Sequence, residues 1–256
     1  MELIFRNAIV RKPSRSIIRG LSSSGLGIPV WEVSLEQHSE YVRALESCGL
    51  STGILEPDED FPDSTFIEDV ALCTSECAII TNPGAPSRRE ETRGMRKVLG
   101  AFFDRIEEII HPATLEAGDV MMVERHFYIG LSGRTNQSGA QQLSAILKKY
   151  GFTASTVPLG RLLHLKSGAS YLGEGNMLLT GELTKRDEFA EYNRIIIPEK
   201  ESYAANSLWL NGTVLIPEGF PETGALIEDA GYPALPVDVS EFRKIDGGLS
   251  CLSLRF

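Results

Sequence analysis

The chain has 256 residues, 42% hydrophobic and 23% charged, enough for one large domain with a well-filled core. Its formal net charge of −10 argues against a nucleic-acid partner and suits a cationic ligand. No apolar run reaches the roughly 18 residues of a membrane span, MELIFRNAIVRKPSR is not a secretion signal, and four cysteines are too few for a disulfide scaffold, so a cytoplasmic setting is expected.

The first helix signal is SLEQHSEYVRALESCG. Ser34 is its expected cap, Gln37 completes a capping box, Leu35, His38, Val42 and Leu45 share one face, and Gly49 is the stop. FPDSTFIEDVAL then places Asp63, Glu68 and Asp69 around a Pro-containing turn. A second helix is expected in PSRREETRGMRKVLGAFF, beginning near Pro86. TLEAGDVMM sets Glu116 and Asp119 around Gly118, and DVMMVERHFYIG has the pattern of a hairpin. A third helix, TNQSGAQQLSAILKKYG, turns Leu143, Ile146 and Leu147 inward and ends at Gly151. Weaker helical patterns, TKRDEFAEYN and PETGALIEDAG, flank a second hairpin, SLWLNGTVLIPEG, turned by Asn211-Gly212. The tail, KIDGGLSCLSLRF, alternates like a strand and carries Cys251 at its mouth.

These helices begin near residues 34, 86, 135, 184 and 221, a step of about fifty residues with strands in the gaps. A repeated strand-strand-helix-strand unit explains the rhythm, and five units closed in a ring is its simplest architecture. Loops of several units would then converge on the axis, where polar residues are candidates for chemistry.

Cys48 and Cys73 suit ordinary buried positions, and Cys73-x-x-x-Cys77 lacks zinc-ligand spacing, so no metal is expected. Cys251 differs, because glycines before it permit close backbone approach. A thiol nucleophile needs an acid/base partner and a group to orient that partner. Of the four histidines, His38 lies on the inner face of the first helix, His126 at a hairpin turn and His111 before Pro112. His164, in LLHLKSG, is open to two readings, a satisfied core histidine or a catalytic one. Asp63 and Asp119 could serve local backbone donors, whereas Glu116 is not a favoured turn residue. Arg88 and Arg134 precede or open helices and could grip a carboxylate, although a solvated arginine is the ordinary reading of either.

Taken in order, FPDSTFIED, LEAGDVMMV, FYIGLSGRTN, LHLKSG, ESYAAN and KIDGGLSCLSLRF resemble the bacterial dimethylarginine dimethylaminohydrolase family, part of the guanidine-modifying superfamily. The resemblance implies an α/β fold, a five-bladed propeller of ββαβ modules with pseudo-five-fold symmetry, as a single domain over residues 1–256. It implies Cys251 as nucleophile, His164 as general acid/base, and Glu116 as the carboxylate that positions the histidine and meets the guanidinium. Asp69 with Glu68 would form the carboxylate pair at the guanidinium end, and Arg88 with Arg134 would hold the substrate α-carboxylate. Leu21, Asp63 and Ile245 would contact the amino-acid portion, Leu21 and Ile245 through backbone carbonyls, with Asp119 as an accessory group.

In arginine deiminases of the same superfamily the position of Lys166 is an aspartate that grips a bare guanidinium. A lysine there favours a methylated substrate, unless its amine simply points to solvent. The implied reaction is hydrolysis of N-methylated arginine to citrulline and an alkylamine through a covalent thiouronium on Cys251, with no cofactor, and with a homodimer as the assembly that relatives suggest. One alternative is an arginine deiminase releasing ammonia. Another is a non-catalytic propeller such as the ribosome-binding initiation factor of this fold, against which the retained Cys/His/Glu set and the acidity both speak.

Overall fold

A computed structural model describes residues 4–256. In chain order its elements are β1 (Asn7–Arg11), α1 (Trp31–Ser47) and β2 (Ser51–Leu55), then β3 (Ala71–Cys73), β4 (Ala78–Ile80), α2 (Met95–Leu99) and β5 (Ile106–Glu108). Next come β6 (Val120–Val123), β7 (His126–Leu131), α3 (Gln137–Lys149) and β8 (Thr153–Pro158), followed by β9 (Ala169–Gly173), β10 (Asn176–Leu179) and β11 (Asn193–Ile196). The chain ends with β12 (Leu208–Leu210), β13 (Thr213–Pro217), α4 (Pro221–Asp229), β14 (Ala234–Val237), α5 (Ser240–Arg243) and β15 (Ser253–Arg255).

The strands form five sheets of three, all built alike. An antiparallel pair is followed by a third strand parallel to the middle one, as in β6-β7-β8, where Ile129 faces Val120 on one side and Thr156 on the other. One sheet draws on both ends of the chain: β1 pairs antiparallel with β15, Ile9 opposite Leu254, and parallel with β2. The β12–β13 hairpin turns at Asn211 and Gly212, whose φ values of +49° and +94° are both left-handed, the geometry that Asn-Gly supplies most readily. Gly49, Gly151 and Gly231 likewise take positive φ just past α1, α3 and α4.

Two compact units divide the chain, Met1–Ile67 with Gly168–Arg255, and Glu68–Ser167 with Phe256. In the first, Tyr41, Leu45, Phe242 and Leu252 centre one core, and Leu172, Leu178, Val214 and Ile227 a second. In the other unit, Ile79, Leu115, Phe127, Leu143 and Leu147 pack between the strands and α3. Among the described residues no helix is long and apolar enough to cross a membrane.

Three helical expectations need correction. α1 begins at Trp31, so Ser34 is inside the helix, where its hydroxyl donates back to the Val30 carbonyl (3.0 Å). Gln37 completes no capping box; its side chain fastens α1 to the α5 region through Asp238 (2.7 Å), Ser240 (2.8 Å) and the Glu241 N–H (3.0 Å). The helix expected from Pro86 is broken at Gly94, whose φ of +77° ends a 3-10 segment, Pro86–Thr92, before α2 starts. TKRDEFAEYN makes only two 3-10 turns, because extended backbone at Arg186 (ψ 130°) separates them.

Candidate active site

A short 3-10 turn leads into the first strand of every sheet: Ile67–Val70 before β3, Ala117–Asp119 before β6, Leu165–Ser167 before β9, Glu199–Ala205 before β12 and Ser250–Leu252 before β15. Most expected site residues lie in or beside these turns. Glu68 and Asp69 occupy the first, Glu116 precedes the second and Asp119 ends it, His164 precedes the third and Lys166 lies within it, and Cys251 sits within the last.

The unit spanning Glu68–Ser167 buries five carboxylates, those of Glu68, Asp69, Glu91, Glu116 and Asp119. Glu116 is wholly inaccessible; it accepts from the Ala85 N–H (2.9 Å) and from Arg134 (3.2 Å to each oxygen), and its Oε2 lies 3.5 Å from His164 Nε2. Asp119 lies on the opposite side of the imidazole, with Oδ2 3.4 Å from Nδ1. It also takes the Ser132 hydroxyl (2.6 Å) and the Leu165 N–H (3.0 Å), so it fixes the segment that carries the histidine. Asp119 therefore does more than satisfy a local turn.

Burial alone would lower the His164 pKa, but the charges of Asp69, Asp119 and Glu116 overcome it and hold the imidazole at about 9, against an ordinary 6.5. Burial also opposes ionisation of Asp69, yet Arg88, the His164 charge and the Gly118 N–H take its carboxyl down to about 2. Gly118 makes this approach feasible. A side-chain carbon there would lie 2.9 Å from both Asp69 Oδ1 and His164 Cγ, while its N–H donates to Asp69 at 2.9 Å.

Arg88 requires a revision. It does not present a solvated guanidinium at a helix end; it is buried, donating to Asp69 (2.6 Å) and to both oxygens of Glu91 (2.8–3.1 Å). A substrate carboxylate could join it only alongside those two anions. Arg134 keeps more of its side chain, 23%, accessible. Lys166 does not point to solvent either: its ammonium lies 2.6 Å from Glu68, with both side chains largely covered. Glu91 is the partner the sequence signals least directly, by its position three residues after Arg88 in a helical pattern.

Ligand atoms of Asp69, Glu116 and His164 come within 4.8 Å of one another, close enough to surround a cation. A protonated His164 has no lone pair for a metal, and Asp69 already has Arg88 and Gly118 as partners.

The remaining expected residues belong to the other unit. Asp63 is buried and accepts the Leu21 N–H at 2.9 Å, while Leu21 is exposed. Ile245 is buried, and its Cδ1 and Asp63 Oδ1 each lie 3.1 Å from where a Gly20 side-chain carbon would stand, so these three positions are neighbours. Cys251 is part-buried in the turn that opens β15, its N–H bonded to the Gly248 carbonyl (3.2 Å), and it packs on the core formed by Tyr41, Phe242 and Leu252.

Set beside known proteins, residues 30–183 match the family profile described as N,N dimethylarginine dimethylhydrolase, eukaryotic. The chain is 52% identical to the N(G),N(G)-dimethylarginine dimethylaminohydrolase of Pseudomonas aeruginosa, over 99% of this chain and all of that one. The chain belongs to the dimethylarginine dimethylaminohydrolase family. A solved cysteine-to-serine variant of the Pseudomonas aeruginosa enzyme, complexed with citrulline, superposes with a TM-score of 0.98 at 51% identity, covering 99% of this chain and 100% of that one. A solved histidine-to-glycine variant of a dimethylarginine dimethylaminohydrolase, as an adduct with S-methyl-L-thiocitrulline, gives 0.97 at 52% identity, again over 99% and 100%. These likenesses carry the expected fold class, the five-bladed α/β propeller.

Proposed function

We infer that the chain is a dimethylargininase, a hydrolase that converts N-methylated arginine to citrulline and an alkylamine, with Cys251 as nucleophile, His164 as general acid and base, and Glu116 as the carboxylate that orients it. The observation that carries the residue roles is the charge of the cluster around His164. Asp69, Asp119 and Glu116 surround the imidazole with negative charge and hold it protonated, with Arg88 paired to Asp69 and Arg134 to Glu116. An acidic cluster of this kind suits a cationic guanidinium substrate.

The chemistry follows. Attack by the Cys251 thiolate on the guanidinium carbon gives a tetrahedral intermediate, in which the departing amine must be protonated. An imidazole held cationic at neutral pH is suited to donate that proton. The C–N bond breaks, the amine leaves, and a thiouronium remains on sulfur. His164, now neutral, takes a proton from water as the water adds to the same carbon. The second intermediate collapses with cleavage of the C–S bond, returning thiolate and citrulline. Asp69 and Glu116 would hold the guanidinium plane during attack.

Arg134, the more exposed arginine, is proposed as the first contact of the substrate α-carboxylate, with Arg88 as its buried companion. Leu21, Asp63 and Ile245 keep their proposed place at the amino-acid portion. The Lys166–Glu68 ion pair favours this reading over a deiminase, since it occupies a carboxylate that could otherwise bind an unsubstituted guanidinium nitrogen. The solved relatives bearing citrulline or a thiocitrulline adduct support the same substrate class. Because those relatives are matched over their whole length, the chain is proposed to work as one functional domain, in the cytoplasm, and as a homodimer.

The test is citrulline formation by wild type and Cys251→Ser with dimethylarginine and arginine as substrates. Wild type should prefer dimethylarginine, and the serine variant should fold and be inert. Turnover by the variant refutes the nucleophile, and a preference for arginine replaces the reaction with deimination.

A further inference from the structure

The ESYAAN segment is the one element of the family resemblance to which the proposed chemistry gives no task. It forms the 3-10 turn that leads into β12, the counterpart of the turns bearing Asp69, Glu116, His164 and Cys251. Three of its polar side chains, Glu201, Tyr203 and Asn206, are committed to contacts outside the turn. Glu201, at one end, accepts from the Glu222 N–H (3.2 Å), the Thr223 N–H (2.7 Å) and the Thr223 hydroxyl (2.7 Å), tying the turn to the start of α4. The other two reach the Cys251 segment.

The Tyr203 hydroxyl donates to the Gly247 carbonyl at 2.7 Å. Its ring is wedged beside Arg243, 4.6 Å from ring centre to guanidinium, and Phe220, 5.6 Å between centroids. Buried Asn206 makes a two-point contact with Ser250: its Oδ1 accepts the Ser250 N–H (2.9 Å) and its Nδ2 donates to the Ser250 hydroxyl (3.0 Å). Arg255 donates to the Ser250 carbonyl (2.9 Å), so each polar group of the residue before Cys251 is held.

The glycines of the segment are explained by these contacts. Neither takes a positive φ. A side-chain carbon on Gly248 would come 2.5 Å from Asn206 Oδ1, and one on Gly247 would come 2.2 Å from the Phe66 ring. Gly-Gly is therefore the impression left by Asn206 and Phe66 pressing on the backbone just before the thiol.

We propose that Asn206 and Tyr203 are positioning residues for Cys251, a clamp on Gly247 and Ser250 that fixes the direction of the thiol. The inference rests on the reading of Cys251 as nucleophile. A thiol displaced by about 1 Å from its line of attack can lose on the order of 100-fold in rate, so the clamp should act on turnover and not on substrate affinity.

The experiment compares Asn206→Ala, Asn206→Asp, Tyr203→Phe and Cys251→Ser for kcat, KM and the peptide-resolved rate of Cys251 alkylation by iodoacetamide across pH. Asn206→Ala should lower kcat by about 10- to 100-fold while KM changes by less than about 2-fold, and should slow alkylation of Cys251 but not of Cys48. Tyr203→Phe keeps the ring contacts and should lower kcat by a smaller factor. Asn206→Asp still accepts the Ser250 N–H and should recover much of kcat, with the alkylation profile moved to higher pH by the added anion. Wild-type kcat and alkylation in folded Asn206→Ala and Tyr203→Phe overturn the clamp; if Asn206→Ala does not fold, wild-type behaviour of Tyr203→Phe overturns it alone. Cys251→Ser separates the two readings. Turnover there removes the nucleophile, whereas an inert serine variant beside unimpaired clamp variants removes only the clamp.

Discussion

His38 and His164 are both buried, one in each unit, and burial pushes both toward the neutral form, yet they end in opposite states. His38 lies on the inner face of α1 with Nε2 unpartnered among the described residues; burial wins over a hydrogen bond to the Arg11 backbone, Lys12 adds to it, and the pKa falls to about 4. His164 sits among Asp69, Asp119 and Glu116, and its pKa rises to about 9. The same ring, buried in both places, is neutral in one and a cation in the other. What separates them is the carboxylates brought by the turns at Ile67–Val70 and Ala117–Asp119.

The comparison would break first on activity. His164→Gly should lower citrulline formation by about 10²- to 10⁴-fold, the usual worth of a general acid/base, whereas His38→Leu should leave kcat and KM unchanged. Steady-state kinetics on both variants decides it, and a loss of turnover in the His38 variant would put that ring in the machinery too.

Stability against pH comes next. Between about 6.5 and 4 the unfolded chain binds a proton at His38 that the native chain refuses, so stability falls as pH drops through this window, by on the order of 3 kcal/mol. At His164 the sign is reversed. The native chain keeps a proton that the unfolded chain releases, so its contribution is complete below about 6.5 and is lost as pH rises through about 9. Denaturant melts across pH should show a flattened acid limb in His38→Leu and a flattened alkaline limb in His164→Gly.

How much of this was visible in the sequence depends on how local each cause is. Gly49, Gly151, Gly231 and Asn211-Gly212 act through their own backbone, and the repeat they punctuate was legible. The start of α1 was not, because Ser34 and Gln37 answer to Val30, Asp238 and Ser240 and not to a cap. The candidate site was legible as a set of residue types whose resemblance to a family supplied the roles. Its charge state was not, since the pairing of Arg88 with Asp69 and of Lys166 with Glu68 joins segments far apart in the chain. Asn206 was hidden for the same reason, its partner lying 44 residues away.

A smaller change should sharpen the contrast. Asp119→Asn removes one of the carboxylates facing His164 while keeping an oxygen for the Leu165 N–H, so the imidazole pKa should move down and that of His38 should stay. The C2 proton resonances of the four histidines report it, and an unmoved His164 would transfer its control to Asp69 and Glu116.

The subtlest test concerns Lys166, the cation two residues after His164. Lys166→Met keeps the length of the stem and leaves Glu68 as a buried anion without that partner. Two consequences follow from one charge. The negative field around His164 deepens, so its pKa should rise further while His38 again stays put. Glu68 also becomes available to N–H donors, and a bare guanidinium offers donors where a dimethylated nitrogen has none. The ratio of kcat/KM for arginine over dimethylarginine should therefore rise by a few-fold, up to about ten, the worth of one charge-assisted hydrogen bond in competition with water. An unchanged ratio with an upward-shifted His164 would mean that Lys166 sets the charge of the cluster but not the choice of substrate.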